Sequence, residues 1–157
     1  MSSLLIWDER SGEIMACRIP PFGSAPAPTI QNVFPHRRSL WPHLRSQWIP
    51  QSYTTREAKL MLRVVNNEPV PKPRLSLSWR AGTEPLETVL SITVSDLLPG
   101  EALTGILCVL ESAGLEPVEF EVDPGDTPIE FPAPGFYLLR VIDDRVQPVP
   151  PIEVVVE

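Results

Sequence analysis

Twenty of the 157 residues are proline, and they recur along the whole chain rather than in one tail. Proline fixes φ and removes a backbone donor, so helix interiors and central strands exclude it. With roughly two and a half times the average proline usage of about 5%, the chain must be built from short elements separated by many turns. Hydrophobic residues still make up 43%, the level of a folded protein, which argues against wholesale disorder. The length suits one domain, or a smaller domain plus an extended segment.

Charge is divided by position. Residues 14–56 contain no carboxylate. Residues 1–73 carry nine Lys/Arg against five Asp/Glu, net +4, and residues 74–157 carry four against fifteen, net −11. Such asymmetry predicts that the basic part lies against a surface of opposite sign. Within it, Pro20, Pro21, Pro26, Pro28, Pro35, Pro42 and Pro50 recur too often for a helix or a paired strand to be expected, so residues 19–56 read as an extended arm. Phe22, Ile30, Val33, Phe34, Leu40, Trp41, Leu44, Trp48 and Ile49 give that arm far more apolar surface than a spacer exposes, which predicts that it becomes ordered along a surface.

Ahead of the arm, residues 1–18 read as a hairpin. Two short apolar runs, 4–7 and 14–18, flank Asp8-Glu9-Arg10-Ser11-Gly12, with Gly12 where a positive φ is most needed. A lone hairpin is marginal in water, so it is expected to pack on the main domain or on another subunit.

From Leu60 the periodicity turns to two. Leu60, Leu62 and Val64 alternate with Met61, Arg63 and Val65; Leu75, Leu77 and Trp79 with Arg74, Ser76, Ser78 and Arg80; Leu86, Leu90, Ile92 and Val94 with Glu87, Ser91, Thr93 and Ser95. Further strands are expected near 102–110, 117–122, 128–131, 136–142 and 152–156, between turns at Leu98-Pro99-Gly100, Ala113-Gly114, Asp123-Pro124-Gly125-Asp126 and Ala133-Pro134-Gly135. About seven short strands without a helical window predict an all-β fold, an antiparallel β-sandwich over 57–157.

The run Pro134-Gly135-Phe136-Tyr137-Leu138-Leu139-Arg140-Val141 is similar to the penultimate strand of immunoglobulin-like and transthyretin-like sandwiches. Thr93-Val94-Ser95-Asp96 with Leu98-Pro99-Gly100-Glu101-Ala102-Leu103 resembles the first hairpin of the latter group. The resemblance covers residues 74–157. It implies an Ig-like fold with Tyr137 at a strand corner, ring partly buried and hydroxyl bonded to backbone a few residues upstream. It implies no activity, because such folds host many unrelated roles.

No residue pattern carries chemistry. There is no Gly-rich phosphate cradle, Gly-x-Ser-x-Gly elbow or His-Glu-x-x-His, so no enzymatic activity and no cofactor are expected. His36 and His43 are the only histidines and have no Cys or acidic cluster at metal-ligand spacing. Asp123, Asp126, Asp143 and Asp144 read as turn aspartates bonding their own backbone rather than as a calcium cage. Cys17 and Cys108 read as two buried thiols, with a disulfide as the alternative. No stretch approaches the apolar length of a membrane span.

The basic window 36–48 mixes cations with aromatics. Gripping phosphates and stacking on bases is the lesser reading of this mixture, since the window holds only three arginines and the whole chain carries −7. The reading is a protein interface of Phe34, Arg37, Arg38, Trp41, Arg45 and Trp48, in which the tryptophans anchor and the arginines meet carboxylates of the partner. By overall design the chain resembles bacteriophage accessory proteins, capsid decoration (cementing) or tail components. The expectation is a non-enzymatic structural protein of a virion, homo-oligomeric, whose arm clasps neighbouring copies or the major capsid or tail protein. The alternatives are an Ig-like protein- or carbohydrate-binding module of a cellular assembly and a nucleic-acid-binding accessory factor. The amino terminus has no signal-peptide pattern, so the place expected is the virion, otherwise the cytoplasm.

Overall fold

The computed structural model describes residues 2–21 and 26–157; Phe22 of the expected arm lies outside them. Strands take 47% of the described residues and helices 11%, and every strand pair is antiparallel, so the chain is all-β in class. It divides into two compact units, residues 1–71 and 72–157.

In the first unit, β1 (Ser3–Asp8) runs between β2 (Ile14–Arg18) and β3 (Leu44–Ile49). The β1–β2 hairpin forms as expected, and Gly12 takes φ +75 beside the Val64 carbonyl, where a Cβ would stand 3.3 Å from that oxygen. All six residues of β1 are buried. A continuous apolar run of this kind suits a strand covered on both faces. On one face Leu5 and Trp7 pack with Ile14, Cys17, Ile49, Ala58 and Leu62. On the other Leu4 and Ile6 pack with Ala16 and Leu44, and with the half-buried Ile30, Val33, Phe34 and Leu40. A register shift in β2 opposite Ile6/Trp7 brings Ile14 and Cys17, three residues apart, onto the same face.

The structure departs from the sequence-based expectations in three places within residues 1–71. The hairpin packs on the segments that follow it within residues 1–71, since a bare β1 face would leave Leu4 and Ile6 in water. The segment after residue 18 is not a plain extended arm. Pro42 and Pro50 fall outside the proline-free run 44–49, so a ladder with β1 is possible, and Trp48 lies opposite Leu4. Between Pro28 and Pro35, Thr29 caps the four-residue α1 (Ile30–Val33), its hydroxyl accepting from the Asn32 amide at 3.2 Å. Finally, Leu60 and Met61, where the alternation predicts the start of a strand, still belong to a helix over residues 55–61. Thr54 and Glu57 form a capping box, each side chain accepting from the other's amide at 3.2 Å, and open α2 (Thr55–Met61) with Ala58 fully buried against the sheet.

The strand expected there begins one residue after α2, as β4 (Leu62–Val65). It returns through Asn66 and Asn67, both at positive φ, into β5 (Glu68–Pro71). Pro69 and Pro71 are tolerated because this ribbon has only two strands. Trp7 Nε1 donates to Asn67 Oδ1 at 2.8 Å and ties the ribbon turn to the sheet.

In the second unit β6 (Arg74–Ala81), β7 (Glu87–Ser95) and β10 (Gly125–Glu130) form one sheet in the order β10-β7-β6. A second sheet holds β8 (Ile106–Glu111), β9 (Val118–Val122), β11 (Gly135–Val141) and β12 (Ile152–Val156) in the order β12-β11-β8-β9. One apolar core draws on both sheets, including Leu90 and Ile92 of β7, Ile106 and Cys108 of β8, Tyr137 and Leu139 of β11, and Val154 and Val156 of β12. Residues 102–105 stay outside the strand expected near 102–110. There Gly105 sits at φ +62, its amide donating to Asp123 Oδ1 at 2.9 Å and its carbonyl accepting from Arg145 at 2.9 Å.

Tyr137 is buried, its ring 4.6 Å from that of Phe131, and its hydroxyl donates to the Ala133 carbonyl at 2.7 Å, four residues upstream. The phenol thereby keeps the hydrogen bond that burial would otherwise remove. Tyr137→Phe keeps the ring and removes this donor. It is expected to cost about 1 kcal/mol, read as a lower urea midpoint of a fragment spanning 72–157. An unchanged midpoint would show that the bond adds nothing.

Candidate protein interface

The basic window is built on the β1 face that carries Leu4 and Ile6. Phe34 closes α1 and packs half-buried on that face, while its carbonyl accepts from Trp41 Nε1 at 2.9 Å and from the Arg37 amide at 3.2 Å. This bond fixes the indole of Trp41 over a 3₁₀ turn, Arg38–His43, and the Arg38 guanidinium lies 5.7 Å from the Trp41 ring centroid. Phe34 and Trp41 therefore serve as half-buried support. Arg37 and Arg38 are exposed, and among the described residues neither has a carboxylate partner.

Leu44 and Ile49 anchor β3 at its two ends by burial on opposite faces, and the four residues between them are exposed. β3 is an edge strand. Arg45 reaches Glu9 at 2.7 Å and its own neighbour's carbonyl, that of Leu44, at 3.1 Å. Trp48 is 45% exposed on this edge. An open strand edge carrying an aromatic and an arginine is a surface on which another protein can add a strand or seat an acidic segment.

Sequence reasoning missed Glu9, which lies in the hairpin loop and becomes Arg45's partner only through the β1–β3 register. Next to it Asp8 accepts from the Arg10 guanidinium at 2.8 and 3.0 Å and from the Arg10 amide at 2.9 Å. The guanidinium, then the amide, hold the Asp8 carboxyl down at about 2. Both carboxylates nearest the window are thus already engaged within residues 1–71.

The other candidate residues are dispersed. His36 is exposed, and the His43 carbonyl accepts from the Glu9 amide at 2.9 Å. Asp123 holds the Gly105 amide, Asp126 pairs with Arg80 at 3.2 Å and accepts from Ser91, and Asp143 pairs with Arg145 at 2.7 Å while accepting from the Leu107 amide. Arg145 holds the Asp143 carboxyl well below the usual carboxylate range. Among the described residues no His, Cys, Asp or Glu group converges as a metal site, and no helix is long and apolar enough to cross a membrane. Cys17 and Cys108 are both buried free thiols, and burial pushes the Cys108 thiol up to about 11.

Comparison with known protein families, curated proteins and solved structures returns no match, so the chemistry of this surface has to be read from its own geometry.

Asp8 supplies a test of the loop beside the window. Its folded pKa lies below the ordinary value of about 3.9, so its contribution to stability is present above about pH 4 and is lost as pH falls through about 2. Asp8→Asn is expected to lower the urea midpoint at pH 6, with the difference from wild type shrinking as pH falls towards 2. A difference that does not change with pH would contradict the assignment.

Proposed function

We propose that the chain is a non-enzymatic structural protein that docks on neighbouring subunits through its basic, carboxylate-free segment, in the manner of capsid decoration and tail components of bacteriophage. The observation that carries this reading is Trp48, 45% exposed on an edge strand that belongs to a segment carrying Arg37, Arg38 and Arg45 and no carboxylate. Tryptophan and arginine dominate interface energetics, and covering the exposed half of an indole at ~25 cal/mol per Å² contributes about 2 kcal/mol before ordering costs.

On this reading residues 72–157 form an Ig-like sandwich that carries the docking unit. Strand order supports it, with the first, second and fifth strands of the unit in one sheet and the third, fourth, sixth and seventh in the other. The Tyr137 hydroxyl bonded back to Ala133 also supports it. Such a sandwich is a scaffold and carries no chemistry by itself.

Electron microscopy of the assembly from the native source is expected to find the chain in a repeating array with the β3 edge against a neighbouring subunit. Trp48→Ala should be recruited about ten-fold less well, while its own melt stays within about 0.5 kcal/mol of wild type because the side chain is half exposed. Recruitment at the wild-type level, or a chain found outside any assembly, would overturn the proposal.

A further inference from the structure

The second unit has an apolar outer face that its core does not use. In β11 Tyr137 and Leu139 point into the core, so Phe136, Leu138 and Arg140 point outward. Phe136 is 74% exposed, more than any other large apolar side chain among the described residues. Its cross-strand neighbour is Val155, itself 37% exposed, and Leu138 lies between Glu153 of β12 and Glu111 of β8. A groove of 680 Å³ runs along this end of the sheet, lined by Phe136 and Leu138 with Glu111, Glu153 and Ser112 beside them. Further across the same face, Glu119 lies opposite Val109 and Glu121 opposite Leu107. Arg140 stands among these carboxylates, paired with Glu111 at 2.9 Å.

An apolar floor edged by carboxylates fits an aromatic side chain flanked by cations. The chain itself holds an exposed aromatic, Trp48, in a basic segment with Arg37, Arg38 and Arg45 and without a single carboxylate from 14 to 56. The units are also opposite in charge. Residues 1–71 hold eight Lys/Arg against five Asp/Glu, net +3, and residues 72–157 hold five against fifteen, net −10. Trp48 and Phe136 are both exposed within one chain, so each is open to a second.

We propose that the Phe136 groove receives the Trp48 segment of a second copy of this chain, head to tail. The inference rests on the reading of Trp48 as an interface residue and names its partner. Because the two surfaces differ, every added copy leaves one of each free, and association continues into a closed ring or an open row rather than stopping at two. Opposite charge raises the encounter rate, so added salt slows assembly.

The test uses the full chain, with wild type, Trp48→Ala and Phe136→Ala compared by sedimentation velocity and their folding checked by circular dichroism. Both side chains are exposed, so both variants are expected to fold. Wild type should form species larger than a dimer, and each variant alone should associate about ten-fold more weakly or worse. An equimolar mixture of the two variants should form a heterodimer and nothing larger, since one partner supplies an intact groove and the other an intact tryptophan segment. If Phe136→Ala assembles like wild type while Trp48→Ala does not, the groove assignment fails and the Trp48 interface stands. If Trp48→Ala assembles like wild type, the interface reading fails with it. A wild-type chain that stays monomeric, or a mixture that yields no heterodimer, overturns the head-to-tail arrangement.

Discussion

β1 removes six consecutive residues from water, and neither of its faces can be left bare. Leu5 and Trp7 need cover on one side, which α2 and β4 supply through Ala58 and Leu62. Leu4 and Ile6 need it on the other, where Leu44, Ile30, Val33, Phe34 and Leu40 meet them. Most of the apolar content of the proline-rich segment is consumed in this way. The prolines do not oppose this arrangement, because each covering piece fits between them. What remains outside is the residue of that packing: the edge of β3, Trp48 and the arginines.

The same division applies to residues 72–157. The inward positions of both sheets fill one core, and the outward positions of a strand should then be polar. Along β11 and β12 only some of them are, since Phe136, Leu138 and Val155 are apolar and carboxylates stand around them. None of these three outward side chains belongs to the core of the unit. Each unit therefore carries exposed aromatic surface beyond the needs of its own core, basic in one case and acidic in the other.

Where local signals agreed with tertiary demands, the sequence was readable. The hairpin followed from two apolar runs and Gly12, β12 lies where alternation placed it, and the Tyr137 bond followed from Gly135-x-Tyr137. Two conflicts misled. Leu60, Leu62 and Val64 alternate like a strand, yet the Thr54/Glu57 capping box and burial of Ala58 hold residues 55–61 in a helix and leave Leu60 exposed. Proline density argued against a strand in the arm, yet Pro42 and Pro50 merely bracket one. The interface candidates were found by composition, but composition cannot separate Phe34 and Trp41, which support, from Arg37, Arg38, Arg45 and Trp48, which face outward. That division depends on the bond from Trp41 to the Phe34 carbonyl and on the register of β3. Phe136 was missed although its signal was present, since Phe136-Tyr137-Leu138-Leu139 is apolar on both faces of a strand that needs only one buried.

The ordered β3 edge rests on two-sided burial of β1 by the segments that follow it, and native-state amide hydrogen exchange on the full chain reads this burial directly. The amides of Leu5, Ile6 and Trp7 should be the slowest in residues 1–71, exchanging only when that whole unit opens. If they exchange as fast as the amides of the hairpin loop at residues 9–12, the proline-rich segment does not cover β1, and the placement of Trp48 and its arginines on an ordered edge strand falls with it.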